Sequence, residues 1–300
     1  MMKNLMKKQT QNLLLISVLV TMAACSTFQP SPSGAPSDDI GSSSDSSPSY
    51  SDAPGSQDSG GSREEVADEP IQPKTPPPSS AYSALNDAVK ADSDEAIYKA
   101  ATQILVQAPN DPRALNALAM YHYKKNRFDL SQYLLQKALS GQGKMSEIYS
   151  NLGIVQLAQN ERREAVKSFR QALDINSSDP VAAANLGSIY TAEKDYAKAQ
   201  MVLEIAYKRG VRDVRVLNNY GIALTAGGKY EQAERVYSEA MKESSGNKEA
   251  LFNYAVLLID HMQKFPQGIE VLNRLKFVGG PADTRNRIIA LENKAKAGLK

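Results

Sequence analysis

The chain has 300 residues, 42% of them hydrophobic, a formal net charge of +2, one cysteine and two histidines. A lone cysteine excludes a disulfide framework, a thiol catalyst paired with a second cysteine, and a zinc cage. The mild charge, with no run of Lys and Arg interleaved with aromatics, argues against nucleic-acid binding.

Residues 1–24 read as an export signal. Lys3, Lys7 and Lys8 precede the apolar run LLLISVLVTMAA, Leu13 to Ala24. That run is too short to span a bilayer as a helix and has the size of a signal-peptide core. It closes on the word MAAC, which resembles the lipobox of bacterial lipoproteins, with Met22 where that family usually has Leu. The resemblance implies cleavage before Cys25 and lipidation of Cys25. Because Ser26 rather than Asp follows, it also implies passage to the outer membrane, facing the periplasm of a Gram-negative envelope.

Residues 25–80 read as a tether. From Ser26 to Ser80 there are 16 Ser, 10 Pro and 5 Gly in 55 residues, with nine acids against Arg63 and Lys74. Such a composition cannot bury a core, so this stretch is expected to be disordered. As a flexible coil it would reach on the order of 40 Å, and self-repulsion among its acids extends it further.

From residue 81 onward the chain is periodic. YSNLGIVQ, AANLGSIY, LNNYGIAL and LFNYAVLL begin at Tyr149, Ala183, Leu217 and Leu251, and place Asn151, Asn185, Asn219 and Asn253 at intervals of 34 residues. With units beginning at 112, 146, 180, 214 and 248, the eighth positions are Ala119, Gly153, Gly187, Gly221 and Ala255. Twelve residues further come Ser131, Ala165, Ala199 and Ala233, and seven beyond those Ala138, Ala172, Ala206 and Ala240. At about 100° per residue, positions 4, 7, 8 and 11 share one stripe of a helix. Gly227–Gly228 within a unit and NSSDP (residues 176–180) between units break the helical pattern, so each unit is a helix pair that must stack on its neighbours to bury its apolar face.

This pattern resembles the tetratricopeptide repeat (TPR), with small residues at positions 8, 20 and 27. The resemblance implies an all-α solenoid of helix hairpins, wound as a right-handed superhelix and preceded here by the disordered linker. Residues 81–111 fit a degenerate first repeat, with helices near Tyr82 to Ala91 and Asp94 to Gln107. Residues 112–281 hold five units, the last of them one residue longer in its turn, and residues 282–300 form a capping helix.

No catalytic constellation is legible. His122 and His261 lie 139 residues apart, and there is no phosphate-binding glycine loop, GxSxG, HExxH or calcium loop. The expectation is a non-catalytic chain with no cofactor and no metal. Position 6 of the first helices points roughly 150° from the interior stripe, towards the concave surface of a stacked solenoid. Asn151, Asn185, Asn219 and Asn253 are therefore expected to line a groove, with Arg215, Ile154, Ile222 and Phe252 beside them. An amide there can bond both the N–H and C=O of an extended peptide, as in some peptide-binding TPR proteins, or it can bond a neighbouring helix. The mixed, fairly apolar lining suits an extended or helical protein segment. Resemblance to lipid-anchored TPR proteins implies a scaffold that supports assembly of an envelope machine. A tight-adherence (Flp) pilus or a secretion system comes first, with a gliding-motility complex or regulation of cell-wall synthesis as alternatives.

Overall fold

The computed structural model describes residues 76–141, 144–281 and 283–300. The export signal, Cys25 and the tether up to residue 75 lie outside the described residues. What is described is helical, with no strand among the described residues.

The helices come in pairs: α1 (Ser79–Lys90) with α2 (Asp94–Gln107), α3 (Pro112–Lys124) with α4 (Phe128–Leu139), and α5 (Ser146–Ala158) with α6 (Arg162–Ile175). Then follow α7 (Pro180–Ala192) with α8 (Tyr196–Lys208), α9 (Val214–Ala226) with α10 (Tyr230–Glu243), and α11 (Lys248–Val256) with α12 (Phe265–Val278). A last helix, α13 (Arg285–Ala297), packs on the final pair. Helix α1 starts at Ser79, ahead of the Tyr82 expected, which puts the first pair in the same 34-residue register as the rest.

Close packing within each pair explains the small residues. A Cβ built on Gly153 would lie 2.6 Å from Phe169 of the partner helix, and one on Gly221 would lie 2.5 Å from Tyr237; Gly187 sits against Leu203 in the same way. Phe169, Leu203 and Tyr237 are fully buried. Where the eighth position is Ala119, the facing residue is the smaller Leu135. The pair therefore shares a fixed volume between a small and a large side chain, at the packing density of a protein interior.

The turn inside each pair needs one residue in the left-handed region. Asp92, Asn126, Asn160, Lys194 and Gly228 fill that place 34 residues apart, and Gln263 fills it 35 residues after Gly228. The turns are equal in length, so the extra residue of the last unit does not lie in its turn as expected. It lies in the π-helical continuation of α11, Leu257–His261, whose Leu257, Leu258 and Ile259 are all fully buried. One turn of wider helix absorbs an inserted residue without opening the backbone ladder.

Between pairs, the residue ahead of each first helix serves as an N-cap. Asp111, Asp179 and Asp213 each accept from two backbone N–H groups, and Asn247 accepts from Ala250 N–H at 2.9 Å. The other carboxylate oxygen of the cap can tie back to the previous pair: Tyr82 donates its hydroxyl to Asp111 at 2.7 Å, and Ser150 to Asp179 at 3.0 Å.

Candidate binding groove

Three successive first helices bound a depression of about 450 Å³. Leu85, Asn86 and Val89 of α1, Arg113, Asn116, Ala117 and Met120 of α3, and Glu147 and Asn151 of α5 line it, with Met145 just ahead of α5. These are largely positions 2, 5, 6 and 9 of the repeat, so the concave face is built from that set. The floor is apolar and contains two methionines, which adapt easily to different shapes. The rim is polar. Arg113 is exposed, with its guanidinium 5.9 Å from the centre of the Tyr82 ring. Lys124 is already committed to Asp92 and to Asp94 (3.1 Å). Hydrogen bonding to Lys125, and then to Lys124, holds the Asp94 carboxyl below the usual carboxylate value.

Asn185, Asn219 and Asn253 repeat the position of Asn151 on α7, α9 and α11, and all four are half-buried. Each amide donates inside the protein. Asn151 donates to Asn116 Oδ1 (2.8 Å), Asn219 to Ser188 Oγ (3.1 Å) and Asn253 to Asn218 Oδ1 (3.0 Å), while Asn185 donates to Val181 O (2.8 Å). Three of the rungs thus bond a neighbouring helix. Among the described residues, no hydrogen bond engages the side-chain oxygen of any of the four.

Among the flanking residues, Ile154 packs against both the first and the second core clusters, and Phe252 against the last one. Ile222 is half-buried, and Arg215 is exposed and paired with its own helix cap, Asp213, at 3.3 Å. Of the residues singled out from sequence, the depression at the first three pairs brings in Asn151. Asn116, Asn86, Leu85, Val89 and Met145 also line it and were missed. The clue to Asn116 was Asn218, its counterpart at the same repeat position.

Chemistry elsewhere is accounted for by pairing. A second hollow of about 980 Å³, beside α6 and the start of α8, holds five cations and four acids. Arg170 there donates to the Tyr190 hydroxyl at 3.0 and 2.7 Å, and Lys167, Lys198 and Arg162 pair with Glu164, Asp195 and Glu193. His122 is buried with its ring 5.1 Å from that of Tyr121, and burial followed by the nearby Arg127 holds its pKa below the ordinary histidine value. His261 lies against Tyr230, ring centres 5.0 Å apart. No group of three or more His, Cys, Asp or Glu side chains able to hold a metal ion occurs among the described residues.

The sequence of residues 150–209 and 193–248 matches the tetratricopeptide repeat family model. Residues 150–248 are tetratricopeptide repeats. The TPR solenoid is accordingly the fold of the described chain. A curated relative, anaphase-promoting complex subunit CDC16 of Saccharomyces cerevisiae, is 34% identical over 99 residues, 30% of this chain. The chain spans 12% of that relative's length. The solved structure of YrrB, a TPR protein with an unusual peptide-binding site, aligns with a TM-score of 0.54 at 18% identity, over 67% of this chain and 99% of that one. A structure from the functional characterization of Pseudomonas aeruginosa pilF aligns with a TM-score of 0.47 at 18% identity, over 63% and 88%. At such identities the likeness is one of fold.

Proposed function

We propose that this chain is a non-catalytic TPR scaffold that holds an extended or helical segment of a cell-envelope protein in its concave groove. In this reading lipidated Cys25 anchors it in the outer membrane facing the periplasm, and it supports assembly of an envelope machine such as a pilus or secretion system. The observation that carries the reading is the groove itself. Successive first helices present an apolar floor with amide rungs at one repeated position, above a solenoid whose remaining charged groups are largely paired with one another. That YrrB, of the same fold, has a peptide-binding site fits a peptide segment as the occupant.

Two measurements on the full-length protein test this. Cys25→Ser should move it from the membrane fraction to the soluble fraction; retention in the membrane refutes lipid anchoring. Crosslinking in the intact envelope should capture a protein partner that is lost when Arg113, at the exposed rim of the groove, is replaced in Arg113→Glu. A partner captured equally by both forms places the binding surface elsewhere.

A further inference from the structure

The four ladder asparagines share a repeat position but not a hydrogen-bonding role. Asn151, Asn219 and Asn253 each tie a first helix to the one before it, through Asn116, Ser188 and Asn218. Asn185 turns instead to Val181 O, one turn back in its own helix.

The cause lies in the preceding unit. The other rungs find their acceptors at position 5 or 9 of the previous first helix. In the unit beginning at Ser146, position 5 is the buried Ser150, whose hydroxyl is committed to Asp179 at 3.0 Å, and position 9 is Ile154, which has no polar side-chain atom. The seam between α5 and α7 is therefore the one seam along the ladder that no rung crosses. The Val181 carbonyl lies within the regular hydrogen-bond ladder of α7, so Asn185 offers it a second, dispensable bond. A ligand can take the Asn185 amide without loosening a contact between repeats.

The surroundings define what that ligand must be. Positions 2, 5, 6 and 9 of the central unit are Val181, Ala184, Asn185 and Ser188, with no charge among them, and the Ser188 hydroxyl already donates to Ala184 O at 2.9 Å. Charged groups stand to either side, Arg113 and Glu147 before, Arg215 and Glu249 after. An amide with a free oxygen amid uncharged small residues matches main-chain N–H and C=O, and it offers nothing to a charged side chain.

We propose that Asn185 is the rung that reads a partner's main chain, over an extended uncharged stretch of peptide, while Asn151, Asn219 and Asn253 are stitches between repeats. This rests on the groove reading above. The test uses the full-length chain, with fluorescence anisotropy of a fluorescein-labelled, end-capped (Ser-Val)5 peptide and of its analogue N-methylated at alternate residues, alongside thermal melting. The unsubstituted protein should bind the plain peptide and favour it over the analogue. Asn185→Ala should weaken binding about fivefold, the worth of one hydrogen bond, with an unchanged melting midpoint. Asn151→Ala and Asn253→Ala should do the reverse, melting earlier with affinity retained. Ile154→Ser, which recreates the Ser188 arrangement one unit earlier, should draw Asn185 into a stitch and weaken binding with the amide still present. Wild-type affinity in Asn185→Ala, or a melting loss there equal to that of Asn253→Ala, overturns the assignment of Asn185 alone. Failure of the unsubstituted protein to bind either peptide overturns the groove reading with it.

Discussion

Side-chain volume, shared between positions 8 and 24, sets how closely the two helices of a repeat approach. Gly153 faces the Phe169 ring, and the space a Cβ would need is already occupied. We expect Gly153→Ala to cost about 1–3 kcal/mol by overpacking. The double substitution Gly153→Ala with Phe169→Leu should recover much of that loss, because it recreates the Ala119 and Leu135 pair of the second unit. Urea unfolding midpoints of the two variants check both halves of the expectation. The small residues at these positions were legible from the repeat alone. Their large partners were legible as apolar, but the reciprocal sizing of the two depends on contacts that periodicity does not encode. The ladder amides show the same division. Their place on the concave side followed from helix geometry, whereas their hydrogen bonds depend on what the previous unit offers at positions 5 and 9, so identical words behave differently.

For helices, the informative case is the last unit. A period that lengthens by one residue reveals only that a residue was added before Gly268; the run Leu257–Leu258–Ile259 is apolar throughout, so no change of pattern marks the site. The structure locates it in the π-helical end of α11, and this places Asp260 against the capping helix. Asp260 receives Arg287 and, at 2.6 Å, Lys294, both from α13, and its carboxylate is 14% exposed. Removing the charge in Asp260→Asn should cost about 1 kcal/mol or less globally, since both cations are half-exposed. Its local effect should be larger. Amide hydrogen exchange along α13 should quicken while that of α7 and α8 stays unchanged, and uniform quickening along the chain would show that the cap is not a separately opening element.

Across the whole solenoid, the ties at the two ends are electrostatic and those in the middle are apolar. Asp94 joins α2 to Lys124 and Lys125 of the second pair, and Glu292 joins α13 to Lys276 of α12. Both carboxyls are held below their ordinary values, Asp94 chiefly by its hydrogen bond from Lys125 and Glu292 by that from Lys276 and then Lys296. A carboxyl with a lowered value in the folded state stabilises above its unfolded pKa, near pH 4, and loses that contribution as pH falls through the lower folded value. Acidification below about pH 4 should therefore loosen the first and last pairs before the central ones. Hydrogen exchange measured along an acid titration checks the order, and opening that begins in α7 to α9 contradicts it. The helix-pair solenoid was legible in the sequence because the 34-residue period repeats over most of it. How its ends are secured was not, because Asp94 and Lys124 lie in different units and carry no shared motif.

The π-turn has one more consequence, best put in the language of crystals. Five pairs follow one lattice spacing, and the sixth contains a dislocation: beyond Leu257 every side chain is one step out of phase with the array behind it. A further repeat fused after Val278 would inherit that offset and present its first helix to a surface spaced for none of the others. An engineer wishing to lengthen this groove would do better to cut at Asn247, ahead of the fault, and grow the array from there.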